Sequence, residues 1–141
     1  MMKKVAVVYW SGTGNTEAMA MSVADGVRAK GAEVDLFTSG DFTADMVKDY
    51  DSIAFGCPSM GDEVLEESEF QPMFDACKGK LSGKRIALFG SYGWGDGEWM
   101  RNWENTCRED GAILACDSVI CQEAPDDDAV NACQELGSAL V

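Results

Sequence analysis

The chain has 141 residues, of which 46% are hydrophobic, so it is long enough for one domain with a full core. Its net charge of −14 disfavours binding to nucleic acid or to an anionic membrane surface, and no apolar stretch approaches the roughly 20 residues of a membrane span. The N-terminus has no leader pattern, so we expect a cytoplasmic protein, in which the six scattered cysteines are free thiols. Because histidine is absent and the cysteines lack metal-binding spacing, we expect no metal site and exclude most hydrolytic mechanisms.

The first predicted elements are a buried strand and a helix joined by a polar loop. Residues 3–9 form an apolar run without alternation, which is typical of a strand buried on both faces of a parallel sheet. A helix is predicted from about Thr16 to Lys30, with Gly31 as its C-cap. Such a junction presents free backbone N–H groups, and we interpret it as a phosphate cradle. Its residues are Ser11, Gly12, Thr13, Gly14, Asn15 and Thr16.

The composition of this loop narrows the kind of phosphate that it binds. The loop lacks the Gly-Lys-Ser/Thr of a P-loop nucleotidase, and Glu17 stands where a dinucleotide motif has its third glycine. Four hydroxyl or amide side chains without a cation suit one phosphate monoester, held by neutral hydrogen bonds and the helix N-terminus. The alternative is a glycine-rich turn whose polar side chains only cap the helix.

The rest of the chain predicts four more strands in alternation with four more helices. The strands are expected at residues 32–37, 52–57, 85–90 and 112–120, and the helices at 43–49, 66–78, 98–109 and from Asp126 or Asp127 onward. This alternation predicts an α/β sandwich with one parallel sheet, in a single domain that spans residues 1–141. Ligands bind beyond the carboxyl ends of the strands in such folds, so we expect the loops after strands 1, 3 and 4 to meet.

The loop after the third strand combines a flexible apolar side chain, a glycine and two carboxylates, at Met60, Gly61, Asp62 and Glu63. Gly61 allows a positive φ, so the peptide between Gly61 and Asp62 can flip between two turn types at little cost. The alternative is that these residues form an ordinary exposed glycine turn that contacts no ligand.

The loop after the fourth strand places aromatic residues among glycines. Trp94 stands between Gly93 and Gly95, where it can lie over a flat ring, whereas Tyr92 and Trp99 are expected to pack inside.

All three loops resemble those of the flavodoxin family. Residues 7–16, Val-Val-Tyr-Trp-Ser-Gly-Thr-Gly-Asn-Thr, are similar to the motif that holds the phosphate of flavin mononucleotide (FMN). Residues 56–68 and 87–97 resemble the flavin loops of short-chain flavodoxins from anaerobic bacteria, and the resemblance covers essentially the whole chain. It implies FMN as the cofactor and a flavodoxin-like, doubly wound α/β sandwich, with a five-stranded parallel sheet of order 2-1-3-4-5 and helices on both faces.

The resemblance also implies a role for each loop. Residues 11–16 would bind the phosphate, Met60 would lie on the inner face of the ring, and Trp94 on the outer face. The Gly61–Asp62 peptide would face N5, where its flip would stabilise the one-electron state, and Glu63 would pair with the pyrimidine N3–H. The remaining members of the predicted cofactor site are Pro58, Ser59, Ser91, Tyr92, Gly93 and Gly95. Residues 121–124 match less well and are left outside the site.

The function implied is low-potential one-electron transfer between redox enzymes, with FMN cycling mainly between semiquinone and hydroquinone. Carboxylates at Asp62, Glu63, Glu66 and Glu67 would make an anionic hydroquinone costly and its potential low. The acidic charge favours basic-surfaced reductases and acceptor enzymes as partners, and a monomeric state. In this interpretation the protein is an electron carrier and not an enzyme.

Two other functions compete with this one. An FMN-dependent quinone or azo-compound reductase of the same fold needs a substrate pocket, for which the chain offers no extra segment. A flavin-free receiver-type module needs acidic residues after strand 1, where this chain has Trp10, Ser11 and Gly12.

Overall fold

The alternating apolar segments fold as six strands and four α-helices in the computed structural model, which describes residues 3–141. The strands are β1 (Lys4–Tyr9), β2 (Glu33–Thr38), β3 (Ser52–Gly56), β4 (Arg85–Tyr92), β5 (Ile113–Leu114) and β6 (Val119–Gln122). The helices are α1 (Asn15–Ala29), α2 (Phe70–Cys77), α3 (Glu98–Glu109) and α4 (Asp127–Ala139). Met1 and Met2, at the N-terminus where no leader pattern is seen in the sequence, lie outside the described residues.

The sheet confirms the predicted order. Its six strands pair in parallel as β2-β1-β3-β4, and both β5 and β6 pair with β4. Alternate residues of each buried strand face opposite sides: Val7 packs with the core under α1 and α4, and Val8 with the core under α2 and α3. Helices therefore cover both faces, as expected for a doubly wound sandwich.

Helices α1 and α4 touch backbone to backbone. A Cβ atom added to Gly26 of α1 would lie 2.0 Å from the carbonyl oxygen of Gln134, and one added to Gly137 of α4 would lie 2.1 Å from that of Val23. Two glycines are therefore required at this crossing, and the contact fixes α1, whose N-terminus follows the polar loop.

The prediction of one strand over residues 112–120 is wrong. Leu114 pairs with Ile86 and Val119 with Phe89, so the chain advances five residues where β4 advances three. The extra residues leave the ladder, and the predicted strand becomes β5 and β6.

The predicted helix over residues 66–78 is wrong at its beginning. It begins at Phe70, because Glu66 caps its first N–H groups from outside the helix. Pro72 fits the first turn, where a missing N–H removes no helical hydrogen bond. The predicted helix over residues 43–49 is a short 3-10 helix at Ala44–Asp49.

Candidate functional site

The loops after β1, β3 and β4 meet at the carboxyl end of the sheet, where the chain order reverses between β1 and β3. They enclose an open cleft with a volume of about 230 Å³. Its walls include nine residues of the predicted site: Gly12, Thr13, Asn15, Pro58, Ser59, Met60, Ser91, Tyr92 and Gly93. The other predicted residues belong to the same loops but lie outside the cleft wall: Ser11, Gly14, Thr16, Gly61, Asp62, Glu63, Trp94 and Gly95.

The phosphate loop, residues 10–16, leaves backbone donors free at the start of α1. Ser11 Oγ accepts hydrogen bonds from the N–H groups of Gly14 (3.1 Å) and Glu17 (3.2 Å), which shape the loop from within. Within residues 3–141, the N–H groups of Thr13, Asn15 and Thr16 form no hydrogen bond. Free N–H groups at a helix N-terminus form a ready site for an anion.

Two buried hydroxyl groups stand beside these donors. The side chain of Thr16 is 1% exposed and that of Ser91 is 5% exposed. The Ser91 N–H donates to Thr16 Oγ1 at 3.4 Å, and the two hydroxyl oxygens lie 3.5 Å apart. This contact joins the phosphate loop to the end of β4, which extends through Tyr92. Neutral donors without a lysine or arginine in the loop fit the single phosphate group of FMN.

The 58–65 loop contains a tight turn. Met60 and Val64 exchange two backbone hydrogen bonds, of 2.8 and 3.0 Å, and enclose residues 61–63. Gly61 has a φ of 49°, as expected for a glycine that opens a primed turn. Glu63 has a φ of 57°, which is uncommon for a residue other than glycine. The turn therefore has the positive φ predicted at Gly61 and backbone strain at Glu63.

The Glu63 carboxylate connects this turn to the loop after β4. Its Oε1 accepts a hydrogen bond of 3.2 Å from the N–H of Glu98, the first residue of α3. The same carboxylate lies over Gly95, where an added Cβ would approach Oε1 to 2.4 Å. Part of its hydrogen-bonding capacity thus serves the N-terminus of α3, and its pairing with flavin N3–H stays a prediction.

Large apolar side chains are exposed around the cleft. Met60 lines the cleft and is 36% exposed, and Trp94 follows the cleft residue Gly93 and is 61% exposed. Tyr92 and Trp99 pack against each other, with ring centroids 5.6 Å apart, as predicted. Their exposure beside the cleft leaves both side chains available to pack against a flat ligand.

Two residues of the cleft are missing from the sequence-based site. Trp10 lines it and covers Gly12, and Glu123 lines it with an N–H that donates to the carbonyl of Tyr92 at 2.9 Å. The cleft wall thus extends to Glu123, which belongs to the 121–124 segment outside the predicted site. Because β6 runs parallel to β4, the loop after β6 lies at the same edge of the sheet as the cleft. Ligands bind at the carboxyl ends of parallel strands, so the topology alone predicts that this loop borders the cleft.

Glu66 is buried at the N-terminus of α2. It accepts hydrogen bonds from the N–H and hydroxyl of Ser68, the N–H of Glu69 (2.7 Å) and the N–H of Phe70 (2.9 Å). Burial alone would raise the pKa of this carboxyl, but the hydrogen bonds from Ser68, Phe70 and Glu69 outweigh it and lower the pKa to about 2. Its negative charge is therefore compensated locally by the donors at the start of α2.

A separate cavity of about 170 Å³ lies behind the 58–65 loop, where Phe74, Trp99 and Trp103 form part of its wall. It contains none of the free N–H donors of the phosphate loop. The cleft in front of the loop is therefore the better candidate for the cofactor.

The six cysteines are free thiols, and burial raises the pKa of Cys57, Cys107 and Cys133 to about 12. No group of three or more acidic, histidine or cysteine residues within residues 3–141 could hold a metal ion. In the same range, no helix combines the length and the apolar character that crossing a membrane requires.

Comparison with known proteins agrees with this geometry. A family model described as flavodoxin matches residues 7–137. The chain is 46% identical to the flavodoxin of Clostridium beijerinckii over 134 residues, which cover 95% of this chain and 96% of that protein. It is 46% identical to the Megasphaera elsdenii flavodoxin over 135 residues, which cover 96% of each.

A solved structure gives the same result. The solution structure of two-electron reduced Megasphaera elsdenii flavodoxin superimposes with a TM-score of 0.89 at 46% identity. The match covers 96% of this chain and 97% of that one. The similarity therefore extends over the fold and all three loops of the cleft.

Proposed function

Because the chain belongs to the flavodoxin family of FMN-binding electron-transfer proteins, we propose that it is a low-potential one-electron carrier whose single domain spans residues 1–141. The observation that carries this proposal is the set of free N–H groups at the start of α1, beside the buried hydroxyls of Thr16 and Ser91. FMN supplies the redox chemistry when bound, and the chain supplies the binding, the orientation and the electrostatics.

Each loop has a distinct task in this proposal. Residues 11–16 and Ser91 hold the phosphate group, and Pro58, Ser59 and residues 91–95 border the rest of the cofactor. Met60 and Trp94 cover the two faces of the ring, which excludes water from it. Glu63 accepts a hydrogen bond from N3–H, and the Gly61 carbonyl accepts one from N5–H when that nitrogen is protonated.

The charge near the cleft favours a low potential. Asp62 and Glu67 are exposed carboxylates of the loop after β3, and the phosphate loop contains no cation. Arg101 already pairs with Asp96, at 3.0 Å. Adding negative charge beside carboxylates costs roughly 4 kcal/mol per unit charge at 4 Å in an effective dielectric near 20, and less where solvent screens it.

The same charge supports the choice of partner. With a net charge of −14, the protein repels copies of itself and attracts basic surfaces, so we expect a monomer that docks to basic redox partners. The cytoplasm is the expected location, because such partners and reduced thiols occur there.

The decisive test is an anaerobic reductive titration of the FMN-loaded protein, followed by visible absorbance. We expect two resolved one-electron steps, the second at a much lower potential. A single two-electron bleach, or steady NAD(P)H consumption with a quinone, would contradict the carrier function and favour a reductase.

The phosphate cradle has its own control. Riboflavin lacks the phosphate group, and we expect it to bind at least about 100-fold more weakly than FMN, because two or more charge-assisted hydrogen bonds are lost. Equal affinities would refute the assignment of residues 11–16.

A further inference from the structure

The 58–65 loop is closed at its base by a hydrogen bond between its flanking residues. The Glu66 N–H donates to Cys57 Sγ over 3.3 Å, and both residues are buried. The Cys57 N–H donates to the carbonyl of Phe89 at 3.1 Å, and the Cys57 carbonyl accepts from Trp99 Nε1 at 3.2 Å. The first end of the loop is thereby fixed to β4 and α3.

The second end is fixed to α2 through the Glu66 side chain. One carboxylate oxygen accepts the N–H and the hydroxyl of Ser68, and the other accepts the N–H groups of Glu69 and Phe70. All four donors need an acceptor that carries no hydrogen. Glutamine at this position would place an amide N–H₂ against two of these donors.

Between these ends, the loop has few contacts of its own. Its backbone bonds are the pair between Met60 and Val64 and a 3.0 Å bond from the Ser59 N–H to the Ser91 carbonyl. Gly61 and Asp62 are exposed, and an added Cβ at Gly61 would meet no atom within 4 Å. The turn is also held by the Glu63 carboxylate, which accepts a hydrogen bond of 3.2 Å from the Glu98 N–H. Apart from that bond, the position of the 61–63 turn depends on how firmly the base of the loop is held.

We propose that Glu66 is a positioning residue for the cofactor, which acts through the base of the 58–65 loop to hold the 61–63 turn beside the ring. The inference rests on the proposed function, because that function places this turn next to FMN. Glu66 acts by hydrogen bonding rather than by its charge, since the carboxylate is turned into the N-terminus of α2. Loosening the base would let the turn move, which weakens binding and changes the hydrogen bond that the turn offers to N5.

The test compares Glu66→Gln with Glu67→Gln in the FMN-loaded protein. Both substitutions remove one negative charge from adjacent positions, but only Glu66 holds the base of the loop. For Glu66→Gln we expect an FMN dissociation constant about tenfold higher, corresponding to one buried donor left unsatisfied. We also expect faster hydrogen exchange across residues 58–65 and a first one-electron potential that moves further than in Glu67→Gln. In Glu67→Gln the exchange rates of the loop should equal those of the wild type.

The potential separates positioning from plain stability, because a uniformly less stable protein keeps the potential of its folded, FMN-loaded form. If Glu66→Gln does not fold, Ser68→Ala removes one of the four donors and leaves the carboxylate in place. We expect the same changes, smaller in size.

Two failures are distinguishable. A wild-type protein that fails to bind FMN overturns the proposed function. A wild type that binds FMN and titrates in two steps, with Ser68→Ala unchanged and any folded Glu66→Gln matching Glu67→Gln in potential and loop exchange, overturns the role of Glu66 alone.

Discussion

Replacing Gly61 by alanine isolates the conformational freedom of the turn beside the cleft. Gly61 has a φ of 49° and open space where a Cβ would lie, so the substitution adds backbone strain without a clash. Gly83 offers a matched control: its φ is 77°, its Cβ position is also open, and it precedes β4 at the end opposite the cleft. Each alanine should cost about 1 kcal/mol, the penalty of a left-handed conformation for a residue with a Cβ.

The two variants should differ only in their redox behaviour. Urea unfolding of the protein without FMN should show a similar loss of about 1 kcal/mol for both. In Gly61→Ala the carbonyl no longer reorients toward N5 at little cost, so the first one-electron potential should become more negative by about 40 mV, at 59 mV per tenfold change. Gly83→Ala should leave both potentials in place. Equal potentials in the two variants, measured by spectroelectrochemistry, would refute the link between this turn and the flavin.

Four further outcomes are expected. Gly137→Ala forces a Cβ to within 2.1 Å of the Val23 carbonyl and should lower the free energy of unfolding by about 3 kcal/mol in urea, whereas Gly40→Ala, which meets open space, should stay near the wild type. Because the pKa of Glu66 is lowered to about 2, the ionised carboxylate stabilises the folded protein fully above pH 4.5, its ordinary pKa, and this stabilisation is lost as the pH falls toward 2. The free energy of unfolding should fall by about 3 kcal/mol over that range in the wild type but not in Glu66→Gln. Thr16→Val should weaken FMN binding about tenfold and leave riboflavin binding nearly unchanged, as titrations of both ligands would reveal. Reduction by a basic partner should slow as salt is added, and a flat salt dependence in stopped-flow traces would exclude acidic docking.

The sequence predicted the structure best in segments whose conformation depends only on neighbouring residues in the chain. The apolar run of β1, followed by glycines and hydroxyl residues, predicted both the buried central strand and a loop with unpaired N–H groups at the start of α1. The sheet order follows from the family resemblance, because periodicity alone does not determine which strands become neighbours.

The errors arose where pairing or side-chain capping decided the outcome. The break between β5 and β6 depends on the register against β4, which local propensity does not encode. The late start of α2 depends on the Glu66 carboxylate, and an isolated acidic residue before a helix does not show that it is buried. Glu123 stands outside the predicted site because its loop matches the family weakly, although the parallel topology brings that loop to the cleft.

The break between β5 and β6 also bears on how concentrated solutions of this protein behave. A sheet edge recruits strands from other molecules when it presents a long, regular row of unpaired N–H and C=O groups. Here that edge consists of strands of two and four residues separated by a bulge, although Ile113 and Ile120 are 49% and 38% exposed. A bulge bends and twists the strand locally, so an incoming strand finds no continuous template. The break between β5 and β6 thus hinders amyloid-like pairing of this apolar edge with another molecule. At a straight, continuous fifth strand, only the net charge of the protein would oppose such pairing.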